Sequence, residues 1–244
     1  MIYYLSLKKK SGKYFKFEVG LELSIRDIYL INYIKAKLGV GTIFIRKSAN
    51  RSEMVIFRVR SKQDLKEIII PIFDKYPLLT NKQYDYIRFK VCLLSESNDF
   101  INAYTNKKYI RPLTPVNTVD YIINVPYFSS WLIGFIESEG CFSIYKPSND
   151  NSLVASFEIS KTNEETIIQA IAIYLSLSQK VHKNKVNSFR LKVSSVDAVN
   201  KIIIFIQNAP TKLLGYKKVQ YISWLESLKS IDRYSKKITI PDNY

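Results

Sequence analysis

Residues Leu132–Gly140 read Leu-Ile-Gly-Phe-Ile-Glu-Ser-Glu-Gly, an apolar helical segment closed by two acids and a glycine. Ser130, Gly134 and Ser138 recur every fourth position, so they share one helix face whose small side chains admit a second helix backbone to backbone. Glu139 falls at the carbonyl end, where the macrodipole disfavours a negative charge by roughly 0.3–1 kcal/mol. A carboxylate in that place calls for a cation. Two such helices side by side would offer two acids to a divalent metal, with Glu137 better suited to supporting the turn.

Composition narrows the chemistry further. His182 is the only histidine, so imidazole catalysis and His-rich metal sites drop out, leaving carboxylates, lysines, a metal and water. Cys92 and Cys141 both lie within apolar patterns and read as small core hydrophobes, not as a disulfide. The excess of 37 Lys+Arg over 21 Asp+Glu gives a net charge of +16, which favours a polyanionic partner, nucleic acid first and an anionic membrane surface second. No apolar run approaches the ~20 residues of a membrane span. Met1–Lys10 carries neither a secretory nor a transit-peptide pattern.

The elements that must position these residues emerge from an internal repeat. Shifting the chain by about 134 residues superposes two halves position by position. Alternating Phe15, Phe17, Val19, Leu21, Leu23 and Ile25 predict a strand, as do Leu153, Ala155, Phe157 and Ile159. Helices come after them, one behind Ser24-x-x-Asp27 with a stripe at Ile28, Ile31, Ile34 and Leu38 stopped by Gly39, the other behind Glu164-Glu165 with Ile168, Ile171 and Leu175. Strands Val55–Arg60 and Phe189–Val193 come next, with Ser61 and Ser195 as N-caps. Leu65, Ile68, Ile69 and Ile72 then match Val199, Ile202, Ile203 and Ile206. Finally Lys82, Tyr86, Phe89 and Leu93 match Lys217, Tyr221, Trp224 and Leu228. The expected organisation is a first half at 1–97, a polar connector at 98–125 with Pro112 and Pro115, a second half at 126–230 and a basic tail at 231–244.

The segment Leu132–Gly140, the strand Cys141-Phe142-Ser143-Ile144 behind it and the repeat around both resemble the LAGLIDADG homing endonucleases, especially those encoded in fungal mitochondrial cytochrome b introns. Pro71–Pro77, Asn81–Tyr86 and Gln207–Gly215 carry the same resemblance. It implies an α+β fold of two pseudo-symmetric αββαββα halves, a pseudo-dimer within one chain. Motif helices would meet at the interface, and saddle-shaped antiparallel sheets would lie on double-stranded DNA. It also implies Mg²⁺- or Mn²⁺-dependent double-strand cleavage of an intron-less target, in the mitochondrion. Glu139 corresponds to the family's metal-binding acid, and Lys82 and Lys217 to its active-site lysines. Hydrolysis of a phosphodiester without histidine needs metal-bound water and a cation for the developing charge, which these residues would provide.

Cations on polar strand positions are the expected nucleic-acid surface: Arg58 and Lys192 at matched positions, with Arg46, Arg60, Lys161, Lys183, Lys185, Arg190 and Lys16 beside them. Lys161 replaces the neutral Gln often found near that position in related chains. In the repeat register Tyr4-Leu5-Ser6-Leu7 matches Cys141–Ile144 and Ile2 matches Glu139, so the first motif helix is expected to be missing from this chain. Three readings are compatible with that register: a start upstream of Met1, a truncated endonuclease without a two-acid site, or a maturase that binds its intron RNA and assists splicing without cutting.

Overall fold

The structure, a computed structural model, describes residues 8–10, 14–48, 51–95, 111–112, 114–148, 152–242 and 244. The register of Tyr4–Leu7 and Ile2 falls outside these residues, as do Asn98–Ile110 of the expected connector. The chain divides into two units, Met1–Val116 and Asn117–Tyr244.

In the first unit a hairpin of β1 (Lys8–Lys10) and β2 (Tyr14–Lys16) precedes an antiparallel sheet of order β3-β5-β4, built from β3 (Val19–Ser24), β4 (Thr42–Ser48) and β5 (Arg51–Val59). The alternation predicted one strand through Phe15–Ile25, but the strand is interrupted at Phe17-Glu18 and gives way at Ile25 to a 3-10 turn capped by Ser24. The cap wins because its hydroxyl already satisfies a helical N–H, that of Arg26. Helix α1 (Ile28–Leu38) comes next and stops at Gly39, whose φ of 71° is left-handed backbone that glycine adopts without steric cost. Phe17, Val19, Leu21, Val55, Phe57 and Val59 form the core with Ile31, Leu65, Ile69, Phe89, Cys92 and Leu93.

Ser61 caps α2 (Lys62–Asp64), accepting the Asp64 N–H at 3.2 Å. The helix continues as a π turn, Leu65–Ile69, and then as α3 (Ile70–Lys75). Pro71 explains the π turn: it lacks the N–H that would bond the preceding turn and its ring crowds that carbonyl. The extra residue in the turn rotates α3 about the helix axis, so Ile70 is buried and Ile72 is 36 % exposed, although its repeat partner Ile206 is fully buried. Helix α4 (Lys82–Leu94) buries Tyr86, Phe89 and Leu93 as the repeat predicted.

The second unit opens with α5 (Val119–Asn124), capped by Thr118. It occupies the end of the expected connector and buries Ile122. Helix α6 (Phe128–Glu139) carries the motif and runs directly into β6 (Gly140–Tyr145). The sheet is antiparallel, β6-β7-β9-β8, with β7 (Val154–Thr162), β8 (His182–Lys183) and β9 (Ser188–Val193). Helix α7 (Glu165–Tyr174) links β7 to β8, and Ser195 caps α8 (Val196–Asn208) through the Ala198 N–H. Val199, Ile202, Ile203 and Ile206 are all buried, as are Tyr221, Trp224 and Leu228 of α9 (Tyr216–Lys229). Leu153 lies before the strand and is exposed, in contrast to its place in the alternation. Cys141 is also exposed: it stands one residue after Gly140, so strand alternation turns it to the face opposite Phe142, whose ring packs on Phe157, Tyr221 and Trp224. Only Cys92 is the core hydrophobe expected of both.

The tail packs back on the second unit. Tyr234, in α10 (Asp232–Ser235), is fully buried, and its hydroxyl accepts the Ala155 N–H at 3.1 Å and faces the carbonyls of Ala155 and Ser194 at 3.1 and 2.9 Å. Beyond the Phe157–Val193 pair, the last where β7 and β9 are joined, the phenol takes the place of a ladder rung.

Candidate functional site

The site is built around the junction of α6 and β6. Gly140 has ordinary extended backbone, with φ −71° and ψ 148°, so its requirement for glycine is one of space. A Cβ there would stand 2.7 Å from the Ile136 carbonyl oxygen and 2.9 Å from the Ile136 side chain. The motif's last glycine thus lets the chain turn from helix to strand within one residue, fixing Glu139 at the head of the sheet. Gly134 differs, since a Cβ there meets nothing within 4 Å.

Glu139 and Lys161 meet at this junction. Gly140 pairs with Ile159 on β7, and Lys161 lies two residues further on, on the same side of the strand. Its Nζ is 2.5 Å from Glu139 Oε1, with the two side chains 29 % and 22 % exposed. The cation that the helix end calls for is therefore a lysine of the same unit. The Glu139 carboxylate offers hard oxygen donors, and among the described residues no group of three His, Cys, Asp or Glu is placed to hold an ion. A single carboxylate suits a hard divalent cation whose remaining positions are filled by water and substrate phosphate, and not an all-protein cage.

Glu137 faces a different partner. Its two carboxylate oxygens accept the N–H groups of Leu214 at 2.9 Å and Gly215 at 3.1 Å, the last residues before α9. Ser130, two helical turns earlier, bonds Thr211 at 2.9 Å through the two hydroxyls. Residues 211–215 are thereby latched to α6, and α9 begins where Glu137 holds it. The anion also stands at the amino end of α9, where the macrodipole favours it. Ser138 turns its hydroxyl back to the Phe135 carbonyl. Lys217 is the second residue of α9, with its ammonium 2.7 Å from Gln220 Oε1. Lys82 opens α4 in the first unit.

The arginines Arg46, Arg58, Arg60 and Arg190, on or beside the strands, are paired with acids. In the first sheet Gly20, Glu22 and Ser24, Thr42, Phe44 and Arg46, and Met54, Ile56 and Arg58 share one face by register. Arg58 is held between Glu18, at 2.9 Å, and the Phe44 ring, 4.5 Å from its guanidinium carbon. Arg60 Nε bonds the other oxygen of Glu18 at 2.5 Å, and Arg46 bonds Glu22. In the second sheet Cys141, Glu158 and Lys192 line up, and beside them Ser160, Arg190 and His182. Arg190 lies 3.8 Å from Glu158, and Lys192 stands over the Tyr145 ring at 4.5 Å.

The outward face does not hold every expected binding residue. Lys161 and Lys183 each pair with buried Phe189, so strand alternation turns them to the side opposite Arg190 and Lys192. Lys185 is exposed in the turn between β8 and β9, and Lys16 lies in β2. Sequence reasoning did not assign Glu18, Glu22 and Glu158 as partners of the arginines. The signal was available, because Glu18, Gly20 and Glu22 are the polar positions interleaved with Phe17, Val19, Leu21 and Leu23.

A motif helix entering a sheet whose outer face bears cations, within a sequence built of two matched halves, describes a nuclease class. The profile of the LAGLIDADG endonuclease family matches residues 1–93 and 132–228, and the chain belongs to that family. Its relatives include the probable intron-encoded endonuclease Cox1-I1b of Schizosaccharomyces pombe, 31 % identical over 91 % of this chain and 59 % of that protein. The probable intron-encoded endonuclease aI3 of Dictyostelium citrinum is 29 % identical over 87 % of this chain and 84 % of its own length. The chain thus spans under two thirds of the fission-yeast relative and most of the Dictyostelium one. Among solved structures, the LAGLIDADG homing endonuclease I-GzeII in complex with its DNA target aligns with a TM-score of 0.74 at 22 % identity, covering 98 % of this chain and 88 % of that one. I-SmaMI bound to an uncleaved DNA target in the presence of calcium ions aligns with a TM-score of 0.73 at 23 % identity, covering 92 % and 85 %. The fold is the two-domain α+β fold of these enzymes.

Proposed function

We infer that this chain is an intron-encoded homing endonuclease that hydrolyses both strands of a DNA duplex with Mg²⁺ or Mn²⁺. The observation that carries the reading is the placement of Glu139 by the Gly140 turn at the head of a sheet whose outer face is cationic. The names of its relatives and the DNA complexes of its structural neighbours support it.

Glu139 would hold the divalent ion, which supplies a water activated for attack and charge to stabilise the leaving oxygens. Lys217, in the same unit, would orient that water and offset charge on the phosphate, and Lys82 is proposed for the corresponding part in the first unit. Glu137, by latching Leu214 and Gly215, sets where α9 and therefore Lys217 begin relative to the Glu139 turn. Ser130, Gly134 and Ser138 are proposed as the small-residue face that admits a second helix. Arg46, Arg58, Arg60, Arg190 and Lys192 would meet DNA, with Lys185 at the rim. Intron-encoded relatives point to expression in the mitochondrion.

The reading is tested by exposing the full chain to a library of randomised duplexes with Mg²⁺ and sequencing the linear products. Recurrent cutting at one sequence, abolished by EDTA, is expected; binding without any cut product would reject it. A second reading, a maturase that binds intron RNA and assists splicing, is favoured by the Glu139–Lys161 pair, which satisfies the acid without a metal. Splicing assistance that survives Glu139→Gln while cutting does not would assign both activities to one fold.

A further inference from the structure

The proposed metal ligand already has a cation. We propose that Lys161 is a built-in counter-ion of Glu139 that competes with the divalent metal, so that metal enters the second unit only as Lys161 leaves the carboxylate. The proposal rests on the reading of Glu139 as metal ligand and goes beyond it by assigning the residue that governs occupancy.

Three features support it. Lys161 Nζ stands 2.5 Å from Glu139 Oε1, at direct ion-pair distance from an oxygen that an inner-sphere metal would use. A divalent ion bound there with the ammonium in place would bring two cations within a few ångströms of one another, an arrangement opposed by direct Coulomb repulsion at a site only partly reached by solvent. The lysine is not a wandering surface group, because its backbone belongs to the β7 ladder and pairs with Phe189. Its side chain is nevertheless 29 % exposed, which leaves the ammonium a path outward. The phosphate to be hydrolysed, which the proposed function brings to Glu139 and not to the outer face, is a competing anion for that ammonium. Metal and nucleic acid should therefore bind with positive coupling, the phosphate drawing Lys161 away and freeing the carboxylate.

The test is Mn²⁺ binding to the full chain without DNA, read from the electron paramagnetic resonance signal of the free ion. Lys161→Gln and Lys161→Met are expected to tighten Mn²⁺ binding by on the order of tenfold or more, and Lys161→Arg to leave it weak. Adding Glu139→Gln to Lys161→Gln should remove the gain. Wild-type binding as tight as that of both neutral variants, and lost in Glu139→Gln, would overturn the competition while keeping Glu139 as ligand. A gain that persists without Glu139 would overturn both the competition and the assignment of the ligand. Two neutral variants of different polarity guard against misfolding of either, since a folded one suffices for the comparison.

Discussion

Glu137 and Glu139 are two residues apart and do different things. Glu139 ends the helix beside a lysine, whereas Glu137 divides its two oxygens between two backbone N–H groups. Glu137→Leu leaves both N–H groups without their acceptor and is expected to destabilise the second unit by about 1–3 kcal/mol, with Glu137→Gln milder because one amide oxygen remains. Urea unfolding checks this, and equal stabilities of wild type and Glu137→Leu would contradict the latch. Arg58 is the corresponding residue of the outer face. Its guanidinium is oriented by Glu18 and Phe44, so Arg58→Ala should weaken a cognate duplex by about 1–3 kcal/mol. Equal weakening on unrelated duplexes, measured by fluorescence anisotropy, would make it a phosphate contact and not a base reader.

At the scale of elements, two side-chain networks do what the backbone ladders leave undone. Asp74 of α3 accepts the Tyr86 hydroxyl at 2.7 Å and the Lys90 ammonium at 2.5 Å, joining α3 to α4. The hydrogen bond from Lys90, then that from Tyr86, holds the Asp74 carboxyl below its ordinary pKa, while burial and Asp74 push the Tyr86 phenol up. A depressed carboxylate stabilises the fold above its unfolded value, near 3.8, and loses that contribution as pH falls through the folded value. The stability difference between wild type and Asp74→Asn should therefore be modest at neutral pH, because the pair is partly exposed, and should vanish on acidification; a difference constant with pH would reject it. Tyr234→Phe removes the hydroxyl from the splayed end of β7 and β9 and is expected to cost about 1–3 kcal/mol in denaturant unfolding. Neither network was legible beforehand. Asp74 stood out only as part of a segment resembling the family, Tyr86 only as a matched position without a partner, and the tail had no assigned partner. The Pro71 π turn was hidden for a related reason: the stripe Leu65, Ile68, Ile69, Ile72 fits a regular helix, and only the missing N–H of Pro71 indicates that the phase slips.

For the whole molecule, the repeat and the motif carried the fold, since buried positions at matched places leave few arrangements that satisfy both halves. Buried Tyr86, Phe89 and Leu93 and their counterparts Tyr221, Trp224 and Leu228 obey the repeat residue for residue. The site was legible in part. The place of Glu139 is set by helix polarity and the turn, but the bonds of Glu137 to Leu214 and Gly215 depend on loop packing, and the pairing of strand arginines with Glu18, Glu22 and Glu158 depends on cross-strand register, which composition does not fix. Lys161 was expected among nucleic-acid contacts, and its alignment with Phe189 puts its ammonium on Glu139, a pairing that composition does not reveal. The central claim is that the Glu139 carboxylate supports metal-dependent hydrolysis on a surface that binds DNA without it. The most direct measurement compares wild type and Glu139→Gln on the duplex recovered from the randomised library, reading cleavage with Mg²⁺ and binding with Ca²⁺. The account predicts cleavage reduced by at least ~10²-fold with binding retained, and a Glu139→Gln protein that cuts at the wild-type rate would contradict it.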